Sequence, residues 1–468
     1  MLEECEMIRK KEYGGPSNHM WLLGKRRAMV LTAVVAVAVL TFVSVAASNT
    51  TKASGASSAS ASAKPILKLS KKKVQLYIYD EIGFPVTGIL AKEFHKQFPQ
   101  VTFKFSRETF QNITTQAPKI MNSSNAPDLI RLPTLGQSVK DGLVANLDPY
   151  FKAYKWNTFS AGQLVTMRMN KKTGTRGSGP LWGLGLGYSV TGMFWNKELA
   201  KEAGITTVPA TLGELQSNLA KIKAKGLLPI QGGAKDGAVT FTVQQLIQSY
   251  FDTTKLLNWE FAKSGATINT PAVLKGMTQL QSWSRKGYFP SDINAIDYFG
   301  MVGNFENGQG VYLSDGNWDC KGIQAKMGSK AGFFLFPPVK KGGKHVAMGA
   351  PNTFAIPAKG KHVAEMAFFL NWVHANNKAR KIVVTVTGAT PGGPTTASIP
   401  KVPKGLIKTA LSMSAQVGRE NGFVDFIANT TGGIYSGAII PDNQLLFTDK
   451  MSPQEWINSV QAFWVKDK

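Results

Sequence analysis

The residue types that perform catalysis occur in this sequence, but their spacing favours no catalytic site. Asp315 and Asp319 are close in sequence, and paired carboxylates are the groups with which glycosidases cleave sugar chains. They lie in a segment that contains glycine and asparagine and predicts a turn, and the sequence does not show that they pair. Gly183, Gly185 and Gly187 resemble part of a dinucleotide-binding fingerprint, but these glycines alternate and no helix follows directly. We therefore expect no catalytic residues and no cofactor.

A metal site is not expected either, because the histidines occur at no metal-ligand spacing. Each is interpreted as a surface or helix-face residue, and the five are His19, His95, His345, His362 and His374. The sequence also lacks a Gly-x-Ser-x-Gly nucleophile elbow, a phosphate-binding loop and a His-Glu-x-x-His motif. These observations make an enzyme the weaker interpretation.

The elements that must position any site alternate between strands and helices from Val74 onward. Alternating apolar residues predict strands, while helical apolar spacing and capping boxes predict helices. Strands are predicted at 74–79, 101–105 and 227–230, and helices at 86–97, 211–225 and 362–384, with a further helix after Ser452. This alternation indicates α/β architecture.

Composition indicates a large exported body without disulfide bonds. The chain has 468 residues, of which 43% are hydrophobic, so it can form more than one core. The two cysteines, Cys5 and Cys320, provide no disulfide framework once an N-terminal segment is removed. The formal charge of +25 raises the question of nucleic-acid binding, but the lysines are scattered and no nucleic-acid motif is present. We expect no nucleic-acid partner; an anionic membrane or wall, or an acidic environment, fits this charge better.

The N-terminus has the pattern of an export segment. Lys25, Arg26 and Arg27 precede an uncharged apolar run at 28–47 that ends in small residues. Residues 1–47 are therefore predicted to be either a signal peptide cleaved near Ala47 or a retained membrane anchor. Residues 48–73, rich in serine, alanine and lysine, predict a flexible tether. The expected location is the extracellular side of the cell membrane, secreted or anchored.

Several segments, taken in order, resemble a known family. They are EFHKQFP at 93–99, APDLI at 126–130, WNKEL at 195–199, FENGQGVYL at 305–313, GNW at 316–318 and GATP at 388–391. Their order and spacing resemble the extracellular sugar-binding proteins of ABC importers, the family that includes maltose-binding protein. Unlike the lipoprotein members of that family, the chain has no cysteine directly after its apolar run.

The resemblance implies a two-lobed periplasmic-binding-protein-like fold of type II. Lobe 1 is expected to comprise 74–187 and 350–393, and lobe 2 to comprise 188–349 and 394–468. The crossings between the lobes are placed near Gly187, Gly349 and Gly393, in glycine-rich segments that suit bending backbone. Periplasmic binding proteins close around a ligand by hinge motion, so the ligand is expected between the lobes.

The resemblance also implies a site that combines aromatic and polar side chains. Aromatic rings cover the C–H faces of a sugar, and polar groups pair with its hydroxyls. Trp318 is implied as the stacking residue of lobe 2, and Asp80 and Glu81 end the first predicted strand, where the family places a hydroxyl acceptor. The further candidates are Arg131, Trp182, Tyr188, Asn317 and Tyr435. The alternatives are a core role for the aromatic residues and simple solvent exposure for the charged ones.

The predicted function is the extracellular solute-binding component of an ABC importer. The chain would capture a sugar or oligosaccharide between its lobes and deliver it to the permease subunits in the membrane, acting as a monomer. Two alternatives stay open: the same fold binding a non-sugar solute, and an extracellular carbohydrate-active enzyme.

Overall fold

The computed structural model describes residues 64–468. The predicted export segment and residues 48–63 of the predicted tether lie outside this range. Within 64–468, no helix combines the length and apolar character needed to cross a membrane.

The described chain forms two main β-sheets and one separate two-stranded pair. The strands are β1 (Val74–Glu81), β2 (Val101–Glu108), β3 (Leu129–Arg131), β4 (Arg168–Met169), β5 (Arg176–Leu181), β6 (Leu184–Gly185), β7 (Gly187–Asn196), β8 (Ile230–Gln231), β9 (Tyr312–Gly316), β10 (Ala331–Phe334), β11 (Ala347–Ala350), β12 (Thr353–Ala355), β13 (Thr390–Pro391) and β14 (Phe423–Val424).

The first sheet has the strand order β2-β1-β3-β12-β6. Strand β1 runs parallel to β2, from Val74 opposite Val101 to Glu81 opposite Glu108, and parallel to β3. Strand β12 returns antiparallel to both β3 and β6. The ends of β1 and β3 therefore lie side by side at one edge of this sheet.

The second sheet has the order β14-β11-β7-β9-β8, with β10 and β13 also paired to β7. Strands β4 and β5 form the separate antiparallel pair. The helices that cover the sheets are Val86–Gln97, Phe110–Asn122, Gly136–Lys140, Asp148–Ala153, Lys197–Glu202, Leu212–Ala224, Thr240–Tyr250, Thr253–Glu260, Pro271–Arg285, Tyr298–Glu306, Cys320–Met327, Val363–Ala375, Asn377–Thr387, Leu406–Arg419, Ile440–Phe447 and Pro453–Asp467.

Each sheet has its own hydrophobic core. Leu76 and Ile78 of β1 have no exposed surface and belong to a cluster that extends to the helix Val363–Ala375. Met193 of β7 belongs to a second large cluster, and Phe194 to a smaller third one on the same sheet. We call the body around the first sheet lobe 1 and the body around the second sheet lobe 2. The exact residues at which the lobes exchange along the chain stay a prediction.

Local sequence signals explain several helix boundaries. Ser452 and Glu455 form the reciprocal capping box that the sequence predicts before Pro453–Asp467. Thr211 accepts a hydrogen bond from the Glu214 N–H at 3.1 Å and caps Leu212–Ala224, as predicted. These caps satisfy backbone N–H groups that a helix start leaves unpaired.

Two predicted elements are wrong in detail. The helix predicted over 362–384 is two helices, because Asn376 ends the first and caps the second by accepting hydrogen bonds from Lys378 and Ala379 N–H groups at 2.9 and 3.1 Å. The strand predicted over 227–230 is limited to β8 at Ile230–Gln231. In the first case one residue interrupts a continuous apolar pattern, and in the second the pattern begins before the strand that the backbone forms.

The backbone segments that connect the two sheets lie close together. Strand β6 of the first sheet leads directly into β7 of the second, and β11 leads into β12. At Gly185 a side chain would collide with the carbonyl of Pro351, so the two connections touch where glycine is required. Pro391 pairs with Gly187, which brings the third connection to the same place.

Candidate functional site

Trp318 lies two residues after the end of strand β9 of lobe 2, in the short 3-10 helix Asn317–Asp319, and is partly exposed. Its indole N–H donates to the hydroxyl of Tyr298 at 2.6 Å, and its ring centroid lies 5.6 Å from that of Phe241. The ring covers Gly316 so closely that a Cβ there would collide with it. The indole is therefore held in one orientation by contacts on one side while part of it stays accessible.

The carboxyls near Trp318 belong to a buried network, and the turn predicted over Asp315 is wrong. Asp315 is in β9 and has no exposed surface, and its carboxyl oxygens lie 3.4 and 3.5 Å from the hydroxyl of Tyr298. The Tyr298 hydroxyl donates to Asp319. Burial and the neighbouring carboxyl of Asp319 raise the pKa of Asp315 well above its usual range. Asp315, which has no exposed surface, therefore has no access to a sugar, whereas Asp319 is partly exposed.

Glu81 and Arg131 provide the polar groups of lobe 1, at the ends of the adjacent strands β1 and β3. The Arg131 Nε lies 3.3 Å from a carboxyl oxygen of Glu81, and its Nη1 donates to the carbonyl of Thr353 at 3.0 Å. Burial raises the pKa of Glu81, Arg131 opposes this effect, and the negative charge of Asp319 adds to it. Glu81 of lobe 1 is therefore held by Arg131 and is influenced electrostatically by Asp319 of lobe 2.

Asp80 points to the opposite side of β1 from Glu81. It shares the buried face of the strand with Leu76 and Ile78 and has no exposed surface. Its carboxyl accepts from the hydroxyl of Thr87 and from the backbone N–H of Glu81, the latter at 2.8 Å. Burial raises its pKa to about 7. The structure thus places Asp80 inside lobe 1, where it fixes the start of the helix Val86–Gln97.

A continuous row of aromatic rings connects Trp318 to the opposite lobe. Phe241 lies 5.6 Å from Trp318, Phe426 lies 5.6 Å from Phe241, and Tyr435 lies 5.6 Å from Phe426. Phe110 of lobe 1 follows at 6.3 Å from Tyr435. Arg131 lies over Phe110, with its guanidinium carbon 5.8 Å from the ring centroid. Tyr435, which is 6% exposed, is thus part of the contact between the lobes.

Trp182 and Tyr188 lie near the first crossing, but their polar atoms are engaged within the protein. Trp182 belongs to the core of lobe 1, and its indole N–H donates to the carbonyl of Met169 at 2.9 Å. The hydroxyl of Tyr188 donates to the carbonyl of Gln163, and burial raises the pKa of Tyr188. These contacts anchor the crossing to lobe 1.

The side chain of Asn317 is also hydrogen-bonded to backbone groups. Its carboxamide oxygen accepts from the Val190 N–H at 3.0 Å, its amide nitrogen donates to the Gly388 carbonyl at 2.6 Å, and it has no exposed surface. Asn317 therefore ties the segment that carries Trp318 to β7 and to the end of the helix Asn377–Thr387. Within residues 64–468, no cluster of three or more His, Cys, Asp or Glu side chains could hold a metal ion.

Comparison with known proteins decides the family. The model of the bacterial extracellular solute-binding proteins matches residues 90–409, which is more than half of the chain. The chain belongs to this family. The resemblance seen in the sequence is thereby confirmed, and the family is one of extracellular binding proteins.

Individual members of the solute-binding family agree with this assignment. The chain is 23% identical over 292 residues to the multiple sugar-binding protein of Streptococcus mutans, covering 61% of this chain and 66% of that protein. It is 26% identical over 227 residues to a putative binding protein of Brucella abortus, covering 45% of this chain and 51% of that protein. The solute-binding chain thus spans between half and two thirds of the length of these relatives.

Solved structures of solute-binding proteins share the fold. A chitin oligosaccharide binding protein superposes with a TM-score of 0.69 at 18% identity, covering 84% of this chain and 99% of that one. An ABC substrate-binding protein of Listeria monocytogenes in complex with cycloalternan gives a TM-score of 0.66 at 17% identity, covering 84% and 99%. The predicted two-lobed α/β fold of type II is confirmed.

Sequence reasoning missed several residues of this solute-binding protein's interlobe surface, including Tyr298, Phe241 and Phe110. Tyr298 begins its helix directly after Asp297, whose carboxyl accepts from the Gly300 N–H at 2.9 Å. Phe110 likewise follows the cap Thr109. For Tyr298 and Phe110, the available signal was an aromatic residue directly after an Asp or Thr that can cap a helix.

Proposed function

We propose that this protein captures a sugar or oligosaccharide between its lobes and delivers it to the permease of an ABC importer. The observation that carries the proposal is the combination of groups on the facing lobe surfaces. Trp318, which precedes Asp319, lies at one end of the aromatic row, and Arg131 with its partner Glu81 lies at the lobe 1 end, over the ring of Phe110.

These groups match the chemistry of a carbohydrate. The partly exposed ring of Trp318 offers an apolar face to sugar C–H groups, and its hydrogen bond to Tyr298 fixes the plane of that face. The carboxyls of Glu81 and Asp319 accept hydrogen bonds from hydroxyls, and Arg131 donates them. A solute without hydroxyl groups offers no such donors to Glu81 and Asp319, so a hydroxyl-rich ligand fits this surface better.

Not all candidate residues serve the same role in this proposal. Trp318, Glu81, Arg131 and Tyr435 are proposed to line the ligand site. Asp80, Trp182, Tyr188 and Asn317 are proposed to hold the strand ends and the crossings in place, because their polar atoms are bonded to protein groups. We propose that the ligand closes the lobes about the three glycine-rich crossings.

The names of the relatives support a sugar ligand and an importer. The Streptococcus mutans relative is a multiple sugar-binding protein, and solved structural neighbours bind a chitin oligosaccharide and cycloalternan. Residues 1–47 are proposed to direct export, either as a cleaved signal or as a retained anchor. The end of the predicted tether packs on lobe 1, where Leu69 is buried and the Tyr154 hydroxyl donates to the Ile66 carbonyl at 2.6 Å. A monomer that binds and releases its ligand without cleaving it fits this arrangement.

A thermal-unfolding screen of the full chain tests the proposal. The panel contains raffinose, maltotriose, chitotriose and xylotriose, with polyols, amino acids and dipeptides as the non-sugar solutes. A ligand that binds only the folded state stabilises it by about 2.7 kcal/mol at a hundredfold excess over its Kd. We expect at least one oligosaccharide to raise the unfolding temperature. Stabilisation by non-sugar solutes alone would contradict a sugar-binding function, and shortened sugar products after incubation would favour the enzyme alternative.

A further inference from the structure

The paired strands β4 and β5 form a hairpin that is attached to lobe 1 at its base. The Leu147 N–H donates to the carbonyl of Leu181 at 2.8 Å, and the Trp182 N–H donates to the carbonyl of Met167 at 3.1 Å. Met167, Leu181 and Trp182 all belong to the core of lobe 1. In any rotation of the lobes, the base of this hairpin therefore moves with lobe 1.

The other end of the hairpin contacts lobe 2. The backbone N–H of Arg176 donates to the carbonyl of Phe261 at 3.0 Å, just after the helix Thr253–Glu260. At Gly177, φ is +84° and an added Cβ would lie 2.8 Å from the ring of Phe261, so only glycine permits this approach. Backbone contact between the hairpin and lobe 2 is thus close and specific.

The guanidinium of Arg176 extends these contacts into the interior. Its Nη1 donates to the carbonyls of Glu260 and Asn429 at 3.2 and 2.8 Å, and its Nη2 donates to the carbonyl of Thr166 at 3.0 Å. Nη2 also forms a salt bridge with Asp425. Arg176 is 4% exposed and Asp425 is 1% exposed, so the pair is shielded from water. Glu260, Asn429 and Asp425 all come from lobe 2.

Two acidic side chains of lobe 2, Glu260 and Asp425, lie near the guanidinium of Arg176. The Asp425 N–H donates to a carboxyl oxygen of Glu260 at 2.8 Å, and Glu260 has no exposed surface. Burial and the nearby Asp425 carboxyl raise the pKa of Glu260 well above its usual range, while Arg176 opposes this effect. Lobe 2 therefore holds two buried acidic groups whose nearest cation comes from lobe 1.

The position of the cluster relates it to the crossings. Val424 of β14 pairs with Met348 of β11, and β11 leads directly into the second crossing. Asp425 follows Val424, so the salt bridge lies beside this crossing. Hydrogen bonds weaken steeply once donor and acceptor separate by about 0.5 to 1 Å beyond their usual distance. A hinge rotation that moves the hairpin this far from lobe 2 is thus enough to break the contacts of Arg176.

We propose that Arg176 is an interlobe latch that favours the closed arrangement of the lobes before any ligand binds. The latch consists of Arg176 and Gly177 on the hairpin and of Glu260, Phe261 and Asp425 on lobe 2. It forms when the lobes meet and breaks when they separate. This inference rests on the hinge motion of the proposed function, but it requires no particular ligand.

The test measures the distance between the lobes in the ligand-free, full-length protein. Exposed Gln116 of lobe 1 and Ala295 of lobe 2 are replaced by cysteine and spin-labelled, in a chain carrying Cys5→Ser; Cys320 is buried and does not compete for label. Pulsed electron paramagnetic resonance then gives the distance distribution. Arg176→Met, which removes the charge but keeps much of the side-chain volume, is compared with the unmodified residue.

Arg168→Met is the matched control on the same hairpin. Arg168 donates to the carbonyl of Gly179 at 2.9 Å and lies 3.7 Å from Asp148. Its substitution therefore removes the same charge from the hairpin but breaks no contact with lobe 2. We expect Arg176→Met to shift the distance distribution to values longer by several ångströms, and Arg168→Met to leave it unchanged.

An unchanged distribution in folded Arg176→Met would overturn the latch. If this variant does not fold, Arg176→Lys decides the question, because lysine keeps the charge but lacks the planar fork that reaches four acceptors. A smaller shift in the same direction supports the latch, and no shift overturns it. Since no sugar is present, the outcome is independent of the ligand screen, and failure of either can be distinguished from failure of the other.

Discussion

Replacing Trp318 with alanine removes the aromatic face that we propose stacks on the sugar. An aromatic ring that covers a sugar contributes on the order of 1 to 3 kcal/mol, so affinity should fall about tenfold to a hundredfold. The cost to folding is smaller than for a core tryptophan, because Trp318 is partly exposed. Trp318→Ala removes one hydrogen bond to Tyr298 and one ring contact with Phe241, which together should lower the free energy of unfolding by about 1 to 3 kcal/mol.

Two controls separate binding from folding. Trp283 is 1% exposed in the core of lobe 2, so Trp283→Ala should cost about 3 to 5 kcal/mol of stability and leave the affinity of the folded protein unchanged. Trp318→Phe keeps a ring and should retain most of the affinity. Affinity is measured by isothermal titration calorimetry with the most stabilising sugar of the screen, and stability by urea unfolding. If Trp318→Ala binds as tightly as the unmodified protein, Trp318 is not a stacking residue.

Three further predictions concern charge and export. Burial raises the pKa of Asp80 to about 7, so the stability that this carboxyl contributes is full below pH 4 and is lost as pH rises through 7. The free energy of unfolding should therefore fall by about 2 to 3 kcal/mol between pH 5 and 8, and Asp80→Asn should abolish this pH dependence. Burial lowers the pKa of His374 to about 4, so the stability that the neutral imidazole contributes is present above pH 6.5 and is lost as pH falls toward 4. His374→Gln should reduce this loss of unfolding free energy at acid pH, measured by the same urea unfolding. N-terminal sequencing of native protein should begin near Ser48, or the full chain should fractionate with the membrane; full-length soluble protein in the cytoplasm would contradict export.

The sequence was sufficient for the fold because its local signals and its tertiary contacts agree. The alternation at 74–79 and 101–105 is the alternation of buried and exposed faces on β1 and β2, and Ser452 and Glu455 form the cap that their spacing predicts. Where signals and contacts diverge, the prediction fails. Ser314 and Asp315 look like turn residues, yet they occupy the buried strand β9 because Gln245 and Tyr298 satisfy their polar groups.

The candidate site shows the same limit. Asp80 and Glu81 are adjacent and chemically similar, and the period of a strand sends their side chains to opposite faces. Which face meets the other lobe depends on the packing of the helix Val86–Gln97 against β1, which no local pattern reveals. Tyr298 and Phe110 join the interlobe surface through contacts between segments far apart in sequence. Spacing alone does not identify such contacts.

We propose that one ligand contacts both lobes at once, and hydrogen–deuterium exchange of the full chain can show this. Exchange is followed by mass spectrometry with and without the most stabilising sugar of the screen. We expect slower exchange at two places together: residues 80–85 and 129–134 of lobe 1, and residues 296–300 and 316–320 of lobe 2. Protection confined to one lobe, with binding confirmed by calorimetry in the same sample, would contradict a site between the lobes.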